Sequence, residues 1–206
     1  MEDNKLKKSK RIAALSAAML MCSGVLSDMP QGLFDIAKVS AAQSVVINET
    51  TFPDAIFRNY IKTKFDKDGN GTLNENELLA TVFIEVTEMG ISSLKGLEKL
   101  EYVQDIKCER NNLTSIDLSG NPQLSNIRCS ENKLTNLDVS KNPWLFYLEC
   151  YDNQITSLDV SANPNLGSIL CGNNKISELN LSNNPKLNVL SCSDNNLKSL
   201  DVSKNP

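Results

Sequence analysis

The apolar and polar positions of residues 106–206 recur with a step of 21. Cys108, Cys129, Cys150, Cys171 and Cys192 form one column. Leu113, Leu134, Ile155, Ile176 and Leu197 form a second, and Ile116, Leu137, Leu158, Leu179 and Leu200 a third. Asparagine recurs at 111, 132, 153, 174 and 195, and again at 121, 142, 163, 184 and 205, each time before a proline in the second set. Leu145 to Ile155 shows the unit in full as Leu-x-x-Leu-x-Cys-x-x-Asn-x-Leu, with isoleucine in the last place. Its alternating part predicts a short strand, and each Asn-Pro pair predicts a turn. Ile84, Val86, Ile91 and Leu94 stand 22 residues before Ile106, Cys108, Leu113 and Ile116, which adds an imperfect first copy and makes six coils.

A period of this length with this consensus is the pattern of a leucine-rich repeat. The expected fold is an α/β solenoid: a right-handed coil with about six parallel strands on its concave face and a small helical N-terminal cap. One coil cannot stand alone. Its six or so inward side chains contribute about 1.5–3 kcal/mol each, less than the cost of ordering 21 backbone residues at about 1–2 kcal/mol apiece. Stacked coils share one core and one parallel ladder, so stability comes from neighbours. The first asparagine of each coil is expected to turn inward, where its amide both donates to and accepts from the backbone.

Each cysteine takes the apolar slot of its coil and points inward. Successive strands lie about 4.8 Å apart, whereas bridged Cβ atoms average about 3.8 Å. The expectation is a file of buried free thiols. Cysteines along a line cannot surround a zinc ion.

Residues 43–82 read as a cap. Asp66 to Glu77 fits the twelve-residue EF-hand loop at its diagnostic positions. Asp66, Asp68 and Asn70 offer side-chain oxygens, Gly71 the sharp turn, Thr72 its carbonyl, Asn74 a water-mediated contact and Glu77 both carboxylate oxygens. Hard oxygen donors suit Ca2+. A single loop of this kind points to a static structural ion. Upstream, Thr51 and Asp54 resemble a helix-capping pair with Pro53 in the first turn. Ile56, Phe57, Tyr60, Ile61 and Phe65 then share one helical face, and Glu75 to Val82 forms a short exit helix.

The first 41 residues read as an address. Lys5, Lys7, Lys8, Lys10 and Arg11 precede a run of about fifteen mostly apolar residues, Ile12 to Leu26, the length of a signal-peptide core and short of the roughly 20 that span a membrane. Cleavage is expected somewhere between 27 and 42. Cys22 would suit a lipoprotein, but Met21 before it is too large for that signal. The three segments are then 1–41 signal peptide, 43–82 cap and 83–206 repeats. The pattern stops at Asn205-Pro206 without a polar cap, which predicts further chain.

Composition narrows the chemistry. The 206 residues hold no histidine, which removes every Ser-His-Asp or Cys-His pair and every histidine metal site. The net charge is −4; of the 21 basic and 25 acidic residues, six and four lie in 1–41, leaving 15 and 21 in 42–206. An acidic chain is a poor general binder of nucleic acid. Asp117, Asp138, Asp159 and Asp201 form one column, with Asn180 in the remaining coil, which marks turn chemistry and not an acid/base pair.

Residues 47–206 resemble a bacterial secreted leucine-rich-repeat protein of the internalin-like kind. The resemblance rests on Phe52 to Tyr60, the EF-like loop, Gly90 to Leu97 and the Leu-Asp-Val-Ser-x-Asn-Pro repeats. It implies a curved solenoid that binds proteins or glycans outside the cell, secreted or on the bacterial surface. Internalins mostly use 22-residue repeats with leucine in the cysteine slot, so a particular receptor does not carry over.

Alternation along the strands places Lys107, Glu109, Arg128, Tyr147, Glu149 and Tyr151 on the concave face. Trp144 joins them as the expected binding hot spot, since aromatics beside Arg128 and Glu149 suit such a role. The functional expectation is an extracellular binding module for a protein or glycan ligand, monomeric, with no membrane span in the mature chain and no catalytic residues in 1–206. The alternatives are the targeting arm of a larger secreted enzyme, with its catalytic domain beyond residue 206, or a structural surface spacer.

Overall fold

A computed structural model describes residues 44–206, and the signal-peptide reading and Cys22 lie outside the described residues. The chain begins with a two-residue strand, β1 (Val45–Val46), followed by helix α1 (Ala55–Phe65), strand β2 (Thr72–Leu73) and helix α2 (Glu75–Leu79). β1 and β2 pair antiparallel, Val45 opposite Leu73. Six three-residue strands follow: β3 (Phe83–Glu85), β4 (Asp105–Lys107), β5 (Asn126–Arg128), β6 (Tyr147–Glu149), β7 (Ser168–Leu170) and β8 (Val189–Ser191). They form one parallel sheet in chain order. Register advances by one coil at every step: Ile84 pairs with Ile106, Ile106 with Ile127, Ile127 with Leu148, Leu148 with Ile169 and Ile169 with Leu190. This is the parallel, leucine-rich-repeat-like solenoid that the 21-residue step predicts.

The helical segment differs in detail from expectation. Asp54 itself is the N-cap of α1, its carboxylate accepting from the N–H groups of Ile56 and Phe57. Asn48 instead takes the N–H groups of Thr50 and Thr51. Thr51 therefore caps nothing, because the chain turns before Pro53 and the helix starts after it. Phe57, Ile61 and Phe65 are buried on one face, while Ile56 faces solvent and Tyr60 is half-buried. α2 stops at Leu79, short of Val82, and the chain is extended again by Phe83. Asn74 and Glu77 close a capping box over its first turn.

The core is one continuous file. Ile84, Ile106, Ile127, Leu148 and Ile169 are fully buried, as are Cys108, Cys129 and Cys150. All five described cysteines are free thiols, and Cys192 alone of them is half-buried. Burial pushes every one of these thiols upward, Cys171 to about 12.

Two asparagine columns stitch the coils together. Asn132 donates to the carbonyls of Cys108, Cys129 and Ser130, and its Oδ1 accepts from Leu113 N. Asn153 repeats this with Cys129, Cys150, Tyr151 and Leu134. In the second column Asn142 donates to Leu118 and Asn121, and Asn163 to Val139 and Asn142. The Oδ1 atoms of this column are buried and have no partner among the described residues. The aspartate column behaves as turn chemistry. Asp117, Asp138, Asp159 and Asp201 each accept from the N–H two residues on, and Asn180 makes the same bond to Ser182. Bonds from those serines hold all four carboxyls below their usual range.

Candidate functional site

Three-residue strands leave two outward positions each, and turn residues beyond them extend the outer face of the sheet. On that face the structure brings Asp105, Arg128, Tyr147, Glu149 and Ser130 into one network. Arg128 Nη1 lies 3.2 Å from Asp105 Oδ1. The guanidinium carbon sits 4.8 Å from the centre of the Tyr147 ring, within cation–π range. The Tyr147 hydroxyl donates to Glu149 Oε2 at 2.6 Å, and Ser130 Oγ donates to Glu149 Oε1 at 3.3 Å. Burial and Glu149 together push the Tyr147 hydroxyl up to about 12, so it stays protonated and keeps donating. Burial also raises the Asp105 carboxyl, against the pull of Arg128 and Lys107. The result is a set of large side chains already locked in place before any partner arrives, which lowers the ordering cost of binding.

The neighbouring predicted residues belong to the same face. Lys107 lies 3.6 Å from Glu85 and 5.2 Å from the centre of the Phe83 ring. Glu109 accepts the Thr87 hydroxyl at 2.9 Å. Tyr151 follows β6, its hydroxyl raised by burial and by Glu149 and Glu131. Trp144 is not with them. It lies in the turn before β6 and is 63% exposed. The alternation that places Tyr147 and Glu149 applies only within β6, and Pro143 turns the chain ahead of that strand, so Trp144 stands at the edge.

In the cap, the loop between α1 and α2 gathers three carboxylates. Asp66, Asp68 and Glu77 each offer a ligand atom within 4.8 Å of the others. Asp66 Oδ2 accepts from Gly71 N at 3.0 Å, while Asp66 Oδ1 is buried without a partner. Glu77 accepts from Lys67 N and Asn74 N. Asn70 Oδ1 accepts from Thr72 N and Oγ1, and Asp68 accepts from Asn70. Gly69 and Gly71 have positive φ, which lets the chain fold around this centre. Asn74 spends its side chain on the N-cap of α2. An orphaned buried carboxylate oxygen beside two further carboxylates suits a hard cation, so the donor set fits calcium.

No protein-family model matches the chain. It is 35% identical over 83 residues to Internalin J of Listeria monocytogenes serotype 4b, a stretch covering 40% of this chain and 9% of that protein. Among solved structures it is similar to the functional domain of InlJ from Listeria monocytogenes, which includes a cysteine ladder. The identity there is 30% and the TM-score 0.57, over 81% of this chain and 46% of the other. The repeat region is internalin-like. A crystal structure of the internalin InlF from the same species gives a TM-score of 0.67 at 25% identity, over 79% of this chain and 48% of that one. The chain thus spans less than half the length of these relatives. The file of cysteines in this internalin-like chain is similar in kind to the ladder described for InlJ.

Alternation along the strands also places Asp105 and Ser130 on the outer face, but it does not foretell their bonds to Arg128 and Glu149. Asp105 lies directly opposite Asn126 in the ladder, and Asn126 stands two residues before Arg128 on β5, on the same face. Sequence reasoning missed that Asp54 reaches Ser92 and Ser93. No helix of the described residues is long and apolar enough to cross a membrane.

Proposed function

We propose that this chain is an extracellular binding module, secreted or held at the bacterial surface, whose outer sheet face takes a protein ligand. The observation that carries this reading is the preformed Asp105–Arg128–Tyr147–Glu149 network. Arg and Tyr are the residue types that dominate protein interfaces when they are rigid and partly desolvated. Lys107, Glu109 and Tyr151 extend the same surface. The likeness to internalins supports an extracellular, non-catalytic role. The repeats offer a broad face and no reaction centre.

The test is capture from detergent extracts of surface-biotinylated host cells, with the partner identified by mass spectrometry. A Tyr147→Ala/Tyr151→Ala variant is run beside the parent protein. Loss of the captured partner with an unchanged melting temperature supports the reading. Full capture by the folded variant removes the network from the interface.

The cap loop is proposed to hold one structural calcium. Asp66, Asp68, Asn70 and Glu77 would supply side-chain oxygens and Thr72 its carbonyl, with Asn74 contributing through water. The ion would balance three carboxylates and fasten α1 to α2. The orphaned Asp66 Oδ1 supports this.

A further inference from the structure

Two aromatic side chains of the third full coil stand off the sheet. Trp144 is 63% exposed and Phe146 53% exposed, more than any other large apolar side chain among the described residues. Both lie in the turn that leads into β6. The Phe146 ring rests against Gly167 of the next coil, where a Cβ would stand only 2.4 Å from it. The absence of a side chain at Gly167 therefore makes the room that the Phe146 ring fills.

The surroundings differ from those of the sheet face. Gln123 and Asn165 occupy the positions of Trp144 in the coils on either side, and Lys186 follows one coil further. Ser125 and Asn188 stand in the same column as Phe146 and Gly167. None of these residues is acidic. Asn165 donates to the Pro143 carbonyl at 3.1 Å and accepts from Lys186 Nζ at 2.7 Å, which ties its amide to the residue preceding Trp144. The side-chain amides of Gln123 and Asn188 make no hydrogen bond among the described residues, and Asn188 is exposed.

From this we infer that the Trp144–Phe146 edge is a binding site for a neutral glycan. Exposed aromatic faces accept the C–H face of a pyranose ring, and unspent amides beside them pair with its hydroxyls. The charge pattern favours the same occupant: the strip carries no carboxylate to match a basic partner and one lysine where an anionic surface would need several. Its width argues against a protein docked here alone, since two side chains fall far short of the roughly 800 Å² per partner of a stable interface. The site is separate from the proposed sheet-face interface and does not depend on it.

Trp144 is the one tryptophan of the chain, so its emission reports on this edge alone. The experiment titrates the full chain with chitotriose, maltotriose and lactose in turn. A saturable blue shift and reduced acrylamide quenching with at least one sugar are expected, with a Kd of about 1 mM or tighter. Phe146→Ala and Asn188→Ala should each weaken that response about tenfold, a loss of one stacking or hydrogen-bonding contact. Tyr147→Ala/Tyr151→Ala should leave it unchanged, which separates this site from the sheet face. Asn188→Ala changes an exposed amide and keeps the comparison open should Phe146→Ala not fold. Three outcomes overturn the inference: no spectral change with any of the sugars up to about 10 mM, a change that both edge variants retain in full, or a shift driven by protein concentration alone, which would show a second copy on the edge.

Discussion

The carboxylate of Asp54 accepts hydrogen bonds from both the N–H of Ser92, at 2.9 Å, and its hydroxyl, at 3.0 Å. Its other oxygen caps α1 through Ile56 and Phe57. One side chain thus ties the start of the helix to the first coil. Asp54→Ala is expected to cost about 1–3 kcal/mol in urea denaturation, the scale of a lost cap plus charge-assisted bonds. Asp54→Asn should cost less, because it keeps one acceptor oxygen.

The same group sets a pH dependence. Burial raises the Asp54 carboxyl, but the bonds from Phe57, Ser92 and Ser93 outweigh it and hold it below the ordinary value. The unfolded chain therefore binds the proton more readily. Its contribution is complete above the ordinary aspartate pKa of about 3.9 and is lost as pH falls through the lower folded value. Urea midpoints between pH 5 and pH 2.5 should fall less steeply in Asp54→Asn than in the parent. Equal slopes would show that Asp54 contributes nothing to acid unfolding.

Asn153 should be far more costly to remove than its exposed counterpart Asn183. Asn153→Ala leaves the buried Leu134 N without its acceptor, while the carbonyls of Cys129, Cys150 and Tyr151 each lose one bond and keep another, from Asn132, Asn174 and Glu131. A loss of about 1–3 kcal/mol is expected, at the level of one unsatisfied buried donor. Asn183 makes one exposed contact of 3.4 Å, and Asn183→Ala should stay within about 0.5 kcal/mol of the parent. Guanidinium melts of the two variants check the contrast.

Among Cys108, Cys129, Cys150, Cys171 and Cys192, a thiol reagent at pH 8 should label Cys192 first. Cys192 is half-buried while the other four are buried, and no strand among the described residues covers β8 on its far side. Peptide mapping after timed quenching reads the order. Comparable early labelling of Cys129 or Cys150 would contradict the buried file.

Calcium should raise the melting temperature of the parent chain, and chelation should reverse the gain. Since the ion binds only the folded loop, a concentration 100 times its Kd stabilises by about 2.7 kcal/mol. Asp66→Asn and Glu77→Gln should abolish the shift. Glu77→Gln also weakens the capping box of α2, so the chelated melt of each variant is the baseline. An unchanged shift in Asp66→Asn would place the ion elsewhere.

The sheet was readable because its cause is periodic. The strand-centre residues Ile84, Ile106, Ile127, Leu148, Ile169 and Leu190 recur at 21 or 22, and the observed register follows those steps. The network around Tyr147 was half readable: alternation gave the face, but the bond to Glu149 and the stacking of Arg128 depend on side-chain conformations that no spacing encodes. Trp144 was singled out as an aromatic and not by alternation, and its place in the turn before β6 is one that strand periodicity does not describe. The Asp54–Ser92 contact joins residues 38 apart, from the non-repeating cap to the first coil, and Thr51 offered an equally good local capping pattern.

Every asparagine rung in the stack reaches backward. Asn111 grips Val86, Asn132 grips Cys108 and Leu113, and Asn174 grips Cys150 and Ile155. Each latch thus appears in the chain after its catch. A polypeptide that leaves the ribosome amino end first lays down every catch before its latch, so each newly made turn closes the one already waiting behind it.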